Sequence, residues 1–174
     1  MQSLESIQLT YSSIRSLDYS PARNEIVVGA SDKNIYFLDA TTLALKRTIL
    51  NAHTSSVFVV KYAPNQTTLW SGGRDAHLKV WALDTDKLLF SESAHWFTIN
   101  DIQFHPQGHL AASASRDKTV KIWQTEDYKL IKVLETFRDH GHVNSVNRLL
   151  WTSYQYQLLS CSDDRSIIIW EFQG

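Results

Sequence analysis

An all-β fold of four repeated antiparallel units is what this sequence predicts, on three observations. Asp32, Asp75, Asp117 and Asp164 lie 43, 42 and 47 residues apart. Six residues after each aspartate stands Leu38, Trp81, Trp123 or Trp170, closing a short apolar run. Between the aspartates, strand-length apolar segments are punctuated by proline and small polar residues. A repeat in the 40s closed by tryptophan is the signature of propeller blades, each a four-stranded sheet. The expected architecture is a β-propeller segment spanning residues 1–174, with repeats over 10–50, 51–92, 93–134 and 140–174.

Alignment on the aspartates justifies each element in turn. The first strand of each unit carries Ile14, Val57, Ile99 or Val146, then Leu17, Val60, Ile102 or Leu149, and ends in the aromatic Tyr19, Tyr62, Phe104 or Trp151; these columns are expected to be buried. Turn residues follow, at Ser20-Pro21-Ala22, Ala63-Pro64-Asn65-Gln66, His105-Pro106-Gln107-Gly108 and Thr152-Ser153-Tyr154. The second strand, with Ile26-Val27-Val28, Leu69-Trp70-Ser71, Leu110-Ala111-Ala112-Ser113 or Leu158-Leu159-Ser160, is apolar on both faces, as a strand covered on both sides must be. The aspartate occupies the next turn. Third strands end at Leu38, Trp81, Trp123 and Trp170, and fourth strands fit Leu45-Lys46-Arg47-Thr48-Ile49, Leu88-Leu89-Phe90-Ser91 and Leu130-Ile131-Lys132-Val133-Leu134. The fourth unit lacks such a segment, and residues 4–9, within the displaced stretch 1–9, are expected to supply the missing strand.

Length and composition limit the function. A chain of 174 residues with 43% hydrophobic content can bury a substantial core. Net charge is -1, with basic and acidic residues interleaved, which favours neither nucleic acid nor an anionic membrane as partner. No apolar stretch approaches the length of a bilayer span and the N-terminal residues lack the pattern of a leader, so a cytoplasmic location is expected. The single cysteine fits a reducing compartment.

The motifs sharpen this reading. One runs from Ala52-His53 through Ser71-Gly72-Gly73-Arg74-Asp75 to Trp81, and a second from Ala94-His95 through Ser113-Ala114-Ser115-Arg116-Asp117 to Trp123. A third runs from Gly141-His142 through Ser160-Cys161-Ser162-Asp163-Asp164 to Trp170, and in all three the histidine precedes the aspartate by 22 residues. In these residues, and over nearly its whole length, the chain resembles the WD-repeat family of β-propellers. The resemblance implies structural tetrads of indole, hydroxyl, imidazole and carboxylate: Trp81, Ser71, His53 and Asp75; Trp123, Ser113, His95 and Asp117; Trp170, Ser160, His142 and Asp164. Ser115 and Ser162 compete for the hydroxyl role in two of them. Each network would satisfy a buried indole donor and pin an incoming loop to the aspartate turn. The first unit departs from the pattern, with Val28, Leu38 and Thr10 in place of serine, tryptophan and histidine, and its incoming loop is expected to be held less firmly.

Serine, histidine and aspartate together invite comparison with a hydrolase triad, but threefold recurrence favours packing, because catalysis needs one activated, exposed nucleophile. His140-Gly141-His142 has spacing that can ligate a metal; with His142 in a tetrad and no partner motif, no metal or other cofactor is expected. Cys161 falls where other units carry Gly29, Gly72 and Ala114, and is expected to pack as a small residue.

The functional signal lies on the rim shared by the histidine loops and aspartate turns. Arg74, Arg116 and Arg165 are placed there with Trp96 and Phe97, and arginine beside exposed aromatic rings is the composition of binding hot spots. The longer link Glu135-Thr136-Phe137-Arg138-Asp139-His140 falls on the same rim. The expected function, in keeping with the family resemblance, is a non-enzymatic scaffold that binds a protein or peptide through this rim. The alternatives are a structural portion of a larger propeller and, with less support, an enzyme-associated propeller. Because an open blade edge is a liability, an isolated chain is also expected to close into an eight-bladed ring as a homodimer, unless it is part of a longer propeller whose further blades fill the gap.

Overall fold

The computed structural model of the chain describes residues 5–171. Each apolar run bounded by turn residues forms one strand, and short turns make consecutive strands pair antiparallel. Blade 1 comprises β1 (Ile14–Ser20), β2 (Glu25–Ala30), β3 (Ile35–Asp39) and β4 (Leu45–Ile49). Blade 2 comprises β5 (Val57–Tyr62), β6 (Thr68–Gly73), β7 (His77–Ala82) and β8 (Leu88–Ser93). In blade 3 they are β9 (Ile99–Phe104), β10 (Leu110–Ser115), β11 (Val120–Gln124) and β12 (Leu130–Leu134). A four-residue helix, α1 (Thr136–Asp139), leads into blade 4, with β13 (Val146–Trp151), β14 (Leu158–Ser162) and β15 (Ile167–Trp170).

The first strands β1, β5, β9 and β13 lie innermost, around a cleft of about 480 Å³ lined by Arg15, Leu17, Lys61, Asp101, Gln103 and Arg148 among others. Each carries a bulge near its start, at Arg15, Phe58, Asn100 and Asn147, and an extra unpaired residue of this kind turns a side chain out of the regular alternation. All four bulge residues line a second recess, which shares Arg15, Phe58 and Arg148 with the cleft. The turn into each third strand contains a residue in the left-handed region: Lys33, Ala76, Lys118 and Arg165, at φ 77, 62, 77 and 70°.

Successive blades stack face to face. The trailing face of blade 1, with Val27, Ile35 and Phe37, meets the leading face of blade 2, with Val57, Val60, Leu69 and Trp81. Trp70, Leu78 and Val80 then meet Ile99, Ile102 and Trp123, and Ala112, Val120 and Ile122 meet Val146, Leu149 and Trp170. Carboxylates, one half-buried and one buried, pin two of these junctions. Asp18 accepts the Tyr62 amide at 2.9 Å, and Asp101 accepts the Leu149 amide at 2.8 Å.

The structure corrects two expectations. Residues 5–9 take no strand, and the sheet of blade 4 has three strands among the described residues; Leu4, at the start of the expected segment, and residues 172–174 of the fourth repeat lie outside them. Leu9 instead packs, as Ile26 does, against the blade 1 cluster of Val28, Ala30, Tyr36 and Leu38. The second correction concerns burial. Ile14 and Leu17 stand in columns that are buried in other blades, and Tyr19 in one that is buried or half-buried there, yet all three are exposed because no described blade packs against them.

Candidate functional site

Three repeats of one hydrogen-bond network set the rim. In blade 2 the Trp81 indole N–H donates to Ser71 Oγ at 2.9 Å, and Ser71 Oγ lies 2.8 Å from His53 Nε2. His53 Nδ1 lies 2.9 Å from an Asp75 oxygen. Blade 3 repeats this with Trp123, Ser113, His95 and Asp117 at 2.9, 2.8 and 2.8 Å. In blade 4, Trp170, Ser160, His142 and Asp164 do so at 2.8, 2.8 and 2.9 Å. Ser115 and Ser162 instead accept the amides of Asp117 and Asp164, and Ser115 also donates to the Phe97 carbonyl. One direction of donation satisfies every atom: indole N–H to serine, serine O–H to neutral imidazole, imidazole N–H to carboxylate.

Each carboxylate also accepts the amide of the residue after the histidine: Thr54 at 2.8 Å, Trp96 at 3.0 Å and Val143 at 3.0 Å. The Lys79 and Lys121 ammonium groups reach the carbonyls of Ala52 and Ala94, just before the histidines, both at 2.6 Å. In blade 4 the Thr136 hydroxyl at the start of α1 instead donates to the carbonyl of His142 itself. The loop backbones of blades 2 and 3 are thus held on both sides of the histidine, and that of blade 4 on the side that follows it. In blade 1 the Asp32 carboxylate accepts the Tyr36 hydroxyl at 2.6 Å and the Asn34 amide at 3.1 Å, bonds made within its own hairpin. Thr10, at the histidine position, also hydrogen-bonds Asp32.

Burial places His53 and His95 below the usual imidazole range, with the neighbouring carboxylate opposing this only in part. Burial also pushes the three aspartates up, but the hydrogen bonds of histidine, hydroxyl and amide partners hold Asp75, Asp117 and Asp164 far below the carboxylate range. Both kinds of shift have the same consequence. The unfolded chain binds protons that the folded chain refuses, so stability is complete at neutral pH and falls with acid. Loss is expected to begin below about pH 6.5 from the two imidazoles and to steepen below about pH 4 as the carboxylates are titrated. Urea midpoints measured across this range test it. A midpoint that stays level or rises between about pH 7 and pH 5 would show that the histidines carry a proton in the fold.

The serine oxygens are buried and already accept an indole N–H, so this arrangement holds loops and offers no solvent-facing nucleophile. His140 is exposed at the end of α1 while His142 is enclosed, and no group of three or more histidine, cysteine or acidic residues converges among the described residues. Cys161 is half-buried.

The rigid loops display the residues picked out for binding. Trp96 is 85% exposed and Phe97 58%, immediately after a histidine whose backbone is fixed. Arg74 and Arg116 are exposed in equivalent positions before the tetrad aspartates, their amides donating to the Ser56 and Thr98 carbonyls. Arg165 is exposed one register later, after Asp164, in the left-handed position that Ala76 and Lys118 occupy; Asp163 takes the place equivalent to Arg74 and Arg116. Two rim residues were not picked out from sequence. Phe137 on α1 is 96% exposed, and Val143, equivalent in position to Trp96, is largely exposed too. The length of the link before His142 was the available signal for Phe137.

Antiparallel blades of three or four strands stacked around an inner cleft, with the loops of three of them locked by a tryptophan–serine–histidine–aspartate network, define a β-propeller repeat protein. The chain belongs to the family described as WD domain, G-beta repeat, which it matches over residues 45–82, 86–124 and 131–171. Blade 1, where the tetrad is missing, falls mostly outside the matched segments. Similar proteins include Protein HIRA of Dictyostelium discoideum, 29% identical over 67% of this chain and 12% of that protein. WD repeat and SOCS box-containing protein 1 of Xenopus tropicalis is 31% identical over 64% of this chain and 26% of its own length. The chain therefore spans about a quarter or less of these two relatives. Among solved structures, the computationally designed Ika4 protein superposes with a TM-score of 0.81 at 26% identity, covering 99% of each chain.

Proposed function

We propose that this chain is a non-enzymatic scaffold that binds a protein or peptide on the rim around Trp96. WD-repeat membership supports the scaffold role, and the exposure of Trp96 on a backbone pinned at both ends carries the choice of surface. An aromatic side chain on a fixed loop loses little freedom on binding, which is why such residues dominate interface energetics. Phe97, Phe137 and Val143 extend the apolar surface along loops that emerge on the same rim, and Arg74, Arg116 and Arg165 border it. A segment with apolar anchors and acidic flanks fits this composition. Interleaved charge supports a protein partner over nucleic acid, and the single cysteine supports a reducing, cytoplasmic setting.

Quantitative capture from the source cell tests the surface. Proteins retained by the parent chain are expected to be lost by at least about tenfold when Arg74, Trp96 and Arg116 are all alanine, with an unchanged circular dichroism spectrum. Lys87→Ala, in the β7–β8 turn on the opposite rim, should retain them. Undiminished capture by the triple variant would move the binding surface elsewhere.

A further inference from the structure

The bulge in each first strand puts one residue of every described blade into a shared recess, and what gathers there is positive charge and hydrogen-bond donors. Arg15, Phe58, Asn100 and Asn147 hold the bulge positions and, with Arg148, line a recess of about 350 Å³ at the end of the inner strands next to the histidine loops. No carboxylate lines it among the described residues. Both guanidinium groups are oriented by neutral partners. Arg15 Nε donates to Ser31 Oγ at 2.7 Å, with the guanidinium carbon 5.3 Å from the centre of the Phe58 ring, and Arg148 Nη1 donates to the Asn100 carbonyl at 3.0 Å. Each guanidinium commits one N–H to these bonds and keeps the rest. The Asn147 amide gives one N–H to Asp163 at 2.6 Å and keeps the other. Arg23, Arg47 and Arg138 are paired with carboxylates, whereas Arg15 and Arg148 have no such pair among the described residues. Asp101, the acidic residue of the adjoining cleft, is buried and accepts the Leu149 and Ile102 amides at 2.8 and 2.9 Å, so it offsets only part of the Arg148 charge from a distance. Two cations are thus held in place without a counter-ion.

We infer that this recess is a binding site for a phosphate monoester, held by the guanidinium groups of Arg15 and Arg148. A carboxylate is satisfied by one guanidinium fork, whereas a phosphate dianion has three terminal oxygens and is matched by two forks reaching it from different blades. The spare N–H of Asn147 adds a neutral donor in the same recess. Phe58, half-buried in the lining, offers an apolar surface to the carbon chain of an ester. With a net charge of -1 the chain has no general attraction for anions, so selectivity rests on this local pair. The site stands on the inner strands and uses none of the rim residues assigned to protein binding. It makes no use of the outer faces of blades 1 and 4, so it is the same whether or not further blades flank them.

Nuclear magnetic resonance of the nitrogen-15-labelled chain tests this, with phosphoserine capped at both ends as the probe, at low ionic strength and about pH 7.5, where its phosphate is dianionic. The Arg15 and Arg148 Nε–H resonances are expected to shift saturably, and capped glutamate to bind at least about tenfold more weakly. Arg15→Gln and Arg148→Gln alter exposed side chains, so each variant keeps its fold, as its amide spectrum will show, and each is expected to lose at least about tenfold in phosphoserine affinity. Arg74→Gln, which removes an exposed arginine from the rim, should lose nothing. Inorganic phosphate separates the sources of the ligand. Binding at least about tenfold weaker than that of capped phosphoserine would support a phosphorylated side chain of a partner, and equal binding would support a small phosphate-bearing molecule, read through its phosphate alone. Absence of a saturable shift, equal binding of glutamate and phosphoserine, or undiminished binding by the folded double variant would each overturn the proposal.

Discussion

Replacing Trp123 by alanine is expected to lower the unfolding free energy by about 3–5 kcal/mol. Its ring is buried between blades 2 and 3, in the cluster that includes Trp70, Val80 and Ile102. Its indole N–H is bound to Ser113 at the head of the blade 3 tetrad. Alanine there opens a cavity at a junction and takes the donor from a buried hydroxyl whose other bond orients His95. Trp96→Ala removes the same side chain from an exposed loop and is expected to change stability by less than about 0.5 kcal/mol. Guanidinium midpoints for both variants, taken at one protein concentration because assembly couples to stability, decide the point. Equal midpoints for the two would mean that the junction tryptophans contribute nothing through burial.

Enlarging Gly72 attacks the same junction from the opposite side. A Cβ at this position falls 2.6 Å from Ile99 Cγ2 and 2.9 Å from Val59 Cγ1, closer than carbon atoms approach without displacement. Gly72→Ala is expected to cost about 1–3 kcal/mol as β9 is pushed from β6, and Gly72→Val more than that, since its two further methyl groups have no space to enter. Against a domain stability of about 5–15 kcal/mol, the valine variant should show a large drop in thermal midpoint. Ala114 occupies the same column in blade 3, where the facing residue is the shorter Val146, so one methyl is acceptable at that junction. A valine variant with the parent's midpoint would show that blades 2 and 3 are loosely packed.

Much of this molecule is written locally. The aspartate period, the histidine 22 residues before it and the tryptophan six after it place the strands and tetrads, because a hydrogen-bond network that recurs in three blades demands the same residue types at the same spacing each time. The missing histidine, serine and tryptophan of the first unit likewise announce that Asp32 must find other partners, though not that Tyr36 is one of them.

What the sequence by itself determined, then, is the blade, since strand alternation, turn residues and tetrad spacing are properties of each repeat and its adjoining loop. Only the tertiary structure decided which blade faces are covered. Leu17 and Ile167 satisfy the same apolar pattern as Val60 and Val120, and the difference between exposure and burial lies in whether a neighbouring blade is present. Tertiary structure also sent Leu9 to blade 1 instead of a fourth strand in blade 4, because the apolar surface within its reach outcompetes a distant strand edge. It turned Trp96 outward as well: Asp117 ties its backbone while its side chain finds no covering blade, an orientation that no spacing of residues can express.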